Sequence, residues 1–582
     1  MLLCIIAGTY AGKRVKNTND YFVAGRRAPT FLIASTLVAS VLSTSIFLGE
    51  AGFTYDGQMG PYILGPGIAV IGYVYGAIFF GTFLRRSKAP TVADFLGQRF
   101  NSFRVQQAAG ITIILGLGGY LIIVTQGAAI LLSQWTDLSY IQGILLAWFC
   151  YTAFTLYSGS QGVIITDTMM FTLFAIATIV FAFTISNHFG GIAQAIEQMA
   201  QLESKPGIAS WHGIIGPGTE WPTATDYVIW SLAMDMSWAM VYAVGPWQAG
   251  RHLMARDEHV VIRSSIYACF AVIFMQMMIY ALGGFINLAR PDIAPSETVI
   301  IWAALNLVPD LLGAVLLAGI MAAALSSAST FLSLVGFSIS NDVIKQKNAL
   351  TLRYTRSIML LTGFVVLAIS LYTPPNVFWL MLFIGTVFAS SWGPVGFLSI
   401  WSKNITADAA FWGIIAGTVF NVVPAWLEYI DAIVLPSYAN PVIIGAIASL
   451  ATIGVISSRG QVTQEEKRYR QNLHKTPEID RDLKKTRLTL LAPALLVVYG
   501  CLMPVLLIVY YVFPYQTGAG LLASDGGIDW TSGEAILALC SALLYIPLGL
   551  FTARSVWRRY RPSQEMPKSS THRNTENDAI PI

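Results

Sequence analysis

Runs of about 20 predominantly apolar residues recur from one end of this chain to the other. An α-helix needs about 20 such residues to cross the hydrocarbon core of a bilayer, whereas the strands of a membrane barrel alternate over about 10 residues. Charged residues make up only 11% of the 582 residues, against about a quarter in soluble proteins. The pattern therefore predicts an all-α integral membrane protein.

We predict fourteen complete membrane-spanning helices, preceded by one incomplete segment. The incomplete segment, Leu2 to Ala11, is too short to cross a core of about 30 Å, so we expect an N-terminus that is clipped or wrongly started. The complete spans lie near residues 30–53, 61–84, 105–133, 139–158, 164–186, 226–247, 264–288, 311–340, 355–373, 376–400, 408–426, 439–458, 488–513 and 534–553.

The basic residues indicate which loops face the cytoplasm. If the loop 12–29 is cytoplasmic and the spans alternate, every Lys and Arg except Lys205 and Arg290 lies on the cytoplasmic side. Such a bias is typical of the short loops of membrane proteins. We therefore expect a multi-pass protein of the plasma (inner) membrane, with the charged linker 459–487 and the C-terminus in the cytoplasm. Of the Lys and Arg residues, only Arg356, at the start of the span near 355–373, falls within a predicted span.

The spans and loops divide the chain into six regions. The loop 187–225, on the outer side, and the linker are each expected to contain a short helix. The regions are a partial span and inside loop (1–29), a helical core (30–400, with halves of about 30–186 and 226–400), flanking spans (401–458), the cytoplasmic linker (459–487), C-terminal spans (488–553) and a disordered cytoplasmic tail (554–582).

Two spans of the core are candidates for broken helices. The first contains ASVLSTS, Ala39 to Ser45, and the second contains AMDMSW, Ala233 to Trp238, followed by Gly245-Pro246. Broken helices at corresponding places in two halves are typical of transporters with inverted repeats. Five spans separate the start of one candidate from the start of the other, so the two halves would have opposite orientations.

Cysteine and histidine usage argues against a membrane enzyme. The five Cys residues show no metal-binding or disulfide spacing, and the six His residues lie in loops or near span ends. A haem or zinc enzyme would need ligands within the bundle, so we expect neither an enzyme nor a cofactor. A sensor that kept a transporter fold is an alternative, but no output domain is appended. A channel is another, but no acidic ring is visible.

Five segments in chain order carry a resemblance to a known family. They are NDYFVAGRR (19–27), APTVADFLGQRF (89–100), SQGVIITD (160–167), GPWQAGRHLMARD (245–257) and AAALSSAST (322–330). In this order they resemble the solute:sodium symporter family, which shares the five-plus-five inverted-repeat bundle of the bacterial leucine transporter. The resemblance implies a symporter that imports a small organic solute with sodium by alternating access. Proton coupling is the alternative, and neither a nucleic acid nor an obligate protein partner is expected.

The resemblance also implies a conserved sodium site. Its ligands would be the carbonyls of Ala39, Leu42 and Ala323 and the hydroxyls of Ser326 and Ser327. A hard cation prefers oxygen ligands, and the carbonyls of an unwound helix can supply them. Ala323, Ser326 and Ser327 share a helix face because they are spaced i, i+3 and i+4. Alternatively, these small residues only allow close helix packing.

Some family members have a second sodium site, and its residues are present here. They match Ser326, Ser329, Thr330 and Asp167, which would form either a second site or an exit route for the ion. The alternative for Asp167 is a carboxylate that interacts with a helix N-terminus.

The solute is expected to bind between the two broken helices. Where sugar-transporting relatives have amide and acid side chains, this chain has Val41, Ser45 and Ile46, which would leave sugar hydroxyls against apolar surface. Glu50 and Asp235 favour an amino acid, amine or quaternary ammonium solute over a sugar. A monocarboxylate accompanied by sodium stays open. The candidates are Val41, Thr44, Ser45, Ile46, Glu50, Asp235, Ser237, Trp238, Tyr242 and Trp247, the last at the position of an aromatic gate.

Each of the two acids has an alternative interpretation. Glu50 could be an interfacial carboxylate that reaches the outer surface. Asp235 could bond to the exposed amides of an unwound segment instead of facing the solute.

Overall fold

The computed structural model describes residues 18–344 and 352–561, together with Ile6, Tyr10, Gly12, Lys13 and Val15. Within these residues, thirteen helices are long and apolar enough to cross a membrane, and a shorter apolar helix precedes them. The predicted partial span and residues 562–582 of the predicted tail fall almost entirely outside the described residues.

The helices of the bundle are numbered here in chain order. Shorter helices, Ile192–Ala200 and Gln464–Leu473, occur in the loop 187–225 and in the linker, as predicted. The numbered helices are α1 Thr30–Ala39, α2 Gly67–Ser87, α3 Phe103–Trp135, α4 Tyr140–Tyr157, α5 Gly159–His188, α6 Ala224–Val244, α7 Pro246–Met254, α8 Glu258–Leu288, α9 Asp310–Val343, α10 Arg353–Tyr372, α11 Val377–Trp401, α12 Ala407–Tyr429, α13 Pro441–Arg459, α14 Leu483–Ala519 and α15 Gly533–Tyr560.

The last helix extends beyond its predicted end. We expected the tail to begin at residue 554, but α15 continues to Tyr560. Its side chains Thr552, Val556 and Tyr560, spaced one turn apart, are fully buried. The Tyr560 hydroxyl donates to Glu258 Oε2 of α8 at 2.6 Å, and α15 packs along α14, so both contacts hold the added turns in place.

Helix starts follow from short polar side chains in the loops. Thr223 accepts a hydrogen bond from the Asp226 amide at 3.2 Å before α6, and Asp257 accepts one from the Val260 amide at 2.8 Å before α8. These side chains satisfy amides that have no partner within the helix. Such caps fix where these two helices begin.

Gly159 makes the junction between α4 and α5. Its backbone has φ 53° and ψ −150°, a conformation open essentially to glycine alone. A Cβ atom here would lie 2.5 Å from the Tyr21 ring. Tyr21 is itself held by a 3.0 Å hydrogen bond from its hydroxyl to the Leu156 carbonyl.

The first predicted break is confirmed, because α1 ends at Ala39 and helical structure resumes at Ser45. Within the break, the Ser45 amide donates to Ser43 Oγ at 3.2 Å, and the Ser40 hydroxyl donates to the Leu37 carbonyl at 3.0 Å. Short hydroxyl side chains compete in this way for the backbone groups of a helix. The sequence ASVLSTS thus unwinds the chain in the middle of a buried span.

In the second candidate, the break lies at Gly245-Pro246 and not within AMDMSW. The segment Ala233–Trp238 is continuous helix, and the interruption occurs at Gly245, which has ψ 137° and separates α6 from α7. Pro246 forces this position, since proline disfavours a helical conformation in the residue before it. Asp235 accepts a 3.5 Å hydrogen bond from the Ser231 hydroxyl. The alternative in which Asp235 bonds to an unwound segment is therefore wrong.

The packing brings the interrupted helices together. α1 packs against α5, α7 and α8, and α9 packs against α3 and α5. Two helical pairs, α12 with α13 and α14 with α15, form peripheral hairpins. The break after α1 and the start of α7 therefore both face the middle of α9, where the predicted sodium ligands lie.

Candidate functional site: a break in α1 facing the hydroxyls of α9

The carbonyl of Ala39, the last residue of α1, points at two hydroxyls of α9. It accepts hydrogen bonds from Ser326 Oγ at 3.2 Å and from Ser327 Oγ at 3.3 Å. All three residues are fully buried. The break frees this carbonyl from the helical pattern, so the hydroxyls of another helix can reach it.

The other two predicted ligands lie in the same region. Leu42 is in the break, and Ala323 lies one turn before Ser326 on α9; neither is exposed. The five residues of the predicted sodium site therefore come from two elements in contact. Carbonyl and hydroxyl oxygens are donors that a sodium ion accepts.

Asp167 of α5 lies on the other side of Ser326. Its carboxylate accepts hydrogen bonds from the Ser326 hydroxyl at 2.7 Å and from the Thr36 hydroxyl of α1. Ser326 thus contacts both Ala39 and Asp167, and it is the shared residue that the resemblance to the family implied.

Arg251, beyond the end of the predicted span 226–247, is a basic residue buried within the helix bundle. Its guanidinium is buried in α7, at 3.3 Å from Asp167 Oδ2, and it also donates to the Thr330 hydroxyl. Ser329, the fourth member of the predicted second sodium site, donates to the Ser326 carbonyl of its own helix at 2.8 Å. In this structure a guanidinium therefore makes the contacts that were assigned to a second sodium ion.

Four residues of this site were not among the predicted ones: Thr36, Tyr73, Gln248 and Arg251. Gln248 Nε2 donates to Ser40 Oγ at 3.1 Å, and the Tyr73 hydroxyl donates to Gln248 Oε1 at 3.0 Å. Gln248 and Arg251 are three residues apart in the segment GPWQAGRHLMARD. That spacing places both side chains on one face of the helix that follows Pro246. This shared face was the signal in the sequence by which both residues could have been predicted to belong to the site.

Four of the predicted solute residues line one cavity of about 60 Å³. They are Glu50, Asp235, Trp238 and Tyr242, and the aromatic side chains of Tyr62 and Tyr280 close its walls. Glu50 is only 7% exposed, so the alternative of an interfacial carboxylate is wrong.

The remaining solute candidates are buried outside this cavity. Val41, Thr44, Ser45 and Ile46 lie in or just after the break, and Ser237 does not line the cavity. Trp247 packs edge-on against Tyr120, Phe331 and Phe388, with ring centroids 5.9, 6.1 and 5.5 Å away. The structure therefore divides the predicted solute region into an acidic cavity and a buried layer beside the sodium ligands.

Comparison with known proteins identifies the family. The sequence model of the sodium:solute symporter family matches residues 21–417. This chain belongs to the sodium:solute symporter family. It is therefore a transporter of a family whose members move solutes with sodium, as the sequence motifs predicted.

Several named relatives of this symporter are known. It is 24% identical to the sodium/pantothenate symporter of Escherichia coli strain K12, over 70% of this chain and 85% of the relative. It is 23% identical to the sodium/proline symporter of Salmonella typhimurium strain LT2, over 73% of this chain and 86% of the relative. The relatives thus carry chemically different solutes.

Solved structures confirm the predicted fold class of this symporter. A sodium-coupled sialic acid symporter, in a substrate-bound outward-open state, matches with a TM-score of 0.67 and 19% identity, over 80% of this chain and 97% of that one. Mhp1, a nucleobase-cation-symport-1 family transporter in a closed conformation, matches with a TM-score of 0.53 and 10% identity, over 79% of this chain and 99% of that one.

Proposed function

We propose that this symporter imports a small organic solute across the plasma membrane by coupling it to sodium entry. The observation that carries the proposal is the Ala39 carbonyl facing the Ser326 and Ser327 hydroxyls across the α1–α9 contact. A sodium ion bound to these oxygens, with the carbonyls of Leu42 and Ala323, would hold the broken helix against α9. No cofactor is needed beyond the transported ion.

Coupling follows if sodium stabilises the conformation that is open to the outside. The solute then binds the sodium-loaded protein more tightly, and by reciprocal linkage it strengthens sodium binding by the same factor. After the change to the inward-open conformation, the lower sodium concentration in the cell would release the ion.

Asp167 is assigned to the exit of the ion. Ser326 contacts both the Ala39 carbonyl and the Asp167 carboxylate, so a sodium ion leaving the conserved site would meet Asp167 next. The Arg251 guanidinium already offsets the charge of that carboxylate. A second bound sodium would require Arg251 to move away, and we therefore assign one sodium ion per cycle.

The orientation of the symporter rests on its basic residues. The linker 459–487 and the α15 end, which are rich in Lys and Arg, are assigned to the cytoplasm on the basis of the positive-inside bias. Sodium and solute then enter from the side of the 187–225 loop.

A transport assay tests the function. The purified protein is reconstituted in liposomes and offered radiolabelled pantothenate, proline, sialic acid and choline, after a thermal-shift screen of amino acids, carboxylates and amines with and without sodium. We expect at least one solute to accumulate only under an inward sodium gradient. Uptake that is indifferent to sodium and driven by a proton gradient would contradict sodium coupling. Flux well above carrier rates would indicate a channel.

A further inference from the structure

The cavity beside α6 contains a buried acid, Glu50, and a half-buried one, Asp235, that the sodium site does not use. Glu50 and Asp235 both line it, and Glu50 is 7% exposed, which leaves more than nine-tenths of it buried. Among the described residues, Glu50 Oε2 has no hydrogen-bond partner. A buried carboxylate oxygen without a partner is unfavourable unless a ligand or a proton supplies one.

The cavity lining has no positive charge to balance these acids. Its polar side chains are tyrosines, a serine and a glutamine, and none of the described lining residues is Lys, Arg or His. Arg251, a buried basic residue of α7, is paired with Asp167 instead. Ionisable residues within a membrane protein usually face a partner or a substrate path. The missing partner here is a cation.

The walls of the cavity are aromatic. The Tyr62 and Tyr280 rings meet edge-on with centroids 4.8 Å apart, and the Trp238 and Tyr242 ring centroids are 5.8 Å apart. The faces of such rings attract ammonium groups, and quaternary ammonium ions are bound in this way in aromatic cages. Carboxylates among aromatic rings therefore favour an organic cation over a small inorganic one, which would need several oxygen ligands.

We propose that this cavity binds the positively charged amine group of the transported solute. Its volume of about 60 Å³ exceeds the roughly 10–15 Å³ that a single buried water requires, so an ammonium group has room in it. The inference rests on the proposed transport function and adds the class of solute: a protonated or quaternary amine. It also predicts that the carboxylates of Glu50 and Asp235 both bind the same ammonium group.

The cavity is connected to the sodium site through aromatic contacts. Trp238 lies 6.5 Å from Trp247, measured between ring centroids, and Trp247 is adjacent in sequence to Gln248, which donates to Ser40 in the break of α1. An amine bound between Glu50 and Asp235 would therefore be linked by these contacts to the break of α1, which contributes sodium ligands. Binding of the two ions is therefore expected to be coupled.

The test compares organic cations with an uncharged molecule of the same shape. Purified full-length protein in detergent is titrated with choline and with 3,3-dimethylbutan-1-ol, its uncharged isostere, and also with methylammonium and glycine betaine. Binding is followed by calorimetry and by tryptophan fluorescence, in sodium chloride and in potassium chloride. We expect saturable binding of at least one amine, tighter in sodium, and at least tenfold weaker binding of the uncharged isostere.

Two variants locate the binding, and a third is their control. Glu50→Gln and Asp235→Asn remove one charge each with little change in shape, and each should weaken amine binding at least tenfold. Asp226→Asn changes an acid of the same helix that lies outside the cavity lining, and it should bind like the wild type. Sodium-dependent thermal stabilisation, which should persist in all three, shows that each variant is folded.

The outcomes separate this inference from the proposed function. If sodium stabilises the protein but no amine binds, or the isostere binds equally well, the amine site is wrong while sodium coupling stands. The amine site is also wrong if Glu50→Gln and Asp235→Asn bind amines like the wild type, because the amine then binds elsewhere. If amines bind but sodium has no effect, the amine site stands and sodium coupling is wrong.

Discussion

The guanidinium of Arg251 lies 3.3 Å from the carboxylate of Asp167, and both side chains are buried in the middle of the bundle. Arg251 belongs to α7 and Asp167 to α5, so the pair joins the helix that follows the Gly245 break to a helix that contacts α1. Breaking such a pair leaves one charge buried without compensation, which costs about 3–5 kcal/mol. The pair is therefore part of what stabilises this conformation.

The first prediction concerns this ion pair. We expect Arg251→Gln and Asp167→Asn each to lower the free energy of unfolding by about 3–5 kcal/mol, measured as thermal unfolding in detergent. The double variant should be less destabilised than the sum of the two, because neither charge is then left alone. Strictly additive losses would show that the two side chains do not interact.

The second prediction concerns Gly159. An alanine at this position would need a strained backbone and would place its Cβ atom 2.5 Å from the Tyr21 ring. We expect Gly159→Ala to lower the unfolding temperature and the yield of folded protein. Gly118→Ala is the control, since a Cβ atom there meets no atom within 4 Å and alanine is favoured over glycine within a helix. Equal behaviour of the two variants would contradict the assigned role of Gly159.

The third prediction concerns pH and the linker. Burial raises the pKa of the Asp480 carboxyl to about 6, and the nearby Glu258 and Asp257 act in the same direction. Because the folded state favours the neutral form, the contribution of this group to stability is complete below its unfolded pKa of about 3.9. This contribution of Asp480 to stability is lost as the pH rises from about 3.9 through about 6.

Asp480→Asn should therefore be close to the wild type in unfolding temperature at pH 4.5 and exceed it at pH 8. Glu478→Gln, which changes an exposed acid two residues earlier, controls for a general effect of charge. A stabilisation that is the same at both pH values would show that Asp480 titrates normally.

Much of the fold could be predicted from the sequence, because the bilayer determines the length of the apolar runs and the side on which basic loops lie. Thirteen of the fourteen complete predicted spans correspond to long apolar helices of the structure, and the first, 30–53, corresponds to α1 and the segment after its break. The break after Ala39 was visible because hydroxyl residues interrupt an apolar run. Of the two signals in the second candidate, AMDMSW and Gly245-Pro246, only the second breaks the helix, because its backbone constraints are stronger than the presence of an acid, Asp235, in an apolar run.

Residues of the site could be predicted where a sequence motif contains them. They could not be predicted where only tertiary contacts bring them into the site. The hydroxyls of Ser326 and Ser327 lie where the resemblance placed them. Arg251 was missed because α7 is short and polar by composition, and only the packing of α5 and α9 around it buries its charge. The cavity that joins Glu50 to Asp235 likewise depends on contacts between residues distant in sequence.

Sodium binding to the conserved site is the central claim, and a sodium titration of the purified protein tests it most directly. Thermal stability is measured as sodium replaces potassium at constant ionic strength, for the wild type, Ser326→Ala and Ser333→Ala. The Ser333 hydroxyl donates only within its own helix, to the Ser329 carbonyl at 2.8 Å, so this variant is the matched control.

We predict saturable stabilisation of the wild type and of Ser333→Ala by sodium. Ser326→Ala loses an oxygen that would contact the ion, a loss of about 1.5 kcal/mol, and its midpoint should rise about tenfold. Identical midpoints for the three proteins, or equal stabilisation by potassium, would contradict the assignment of sodium to Ala39, Ser326 and Ser327.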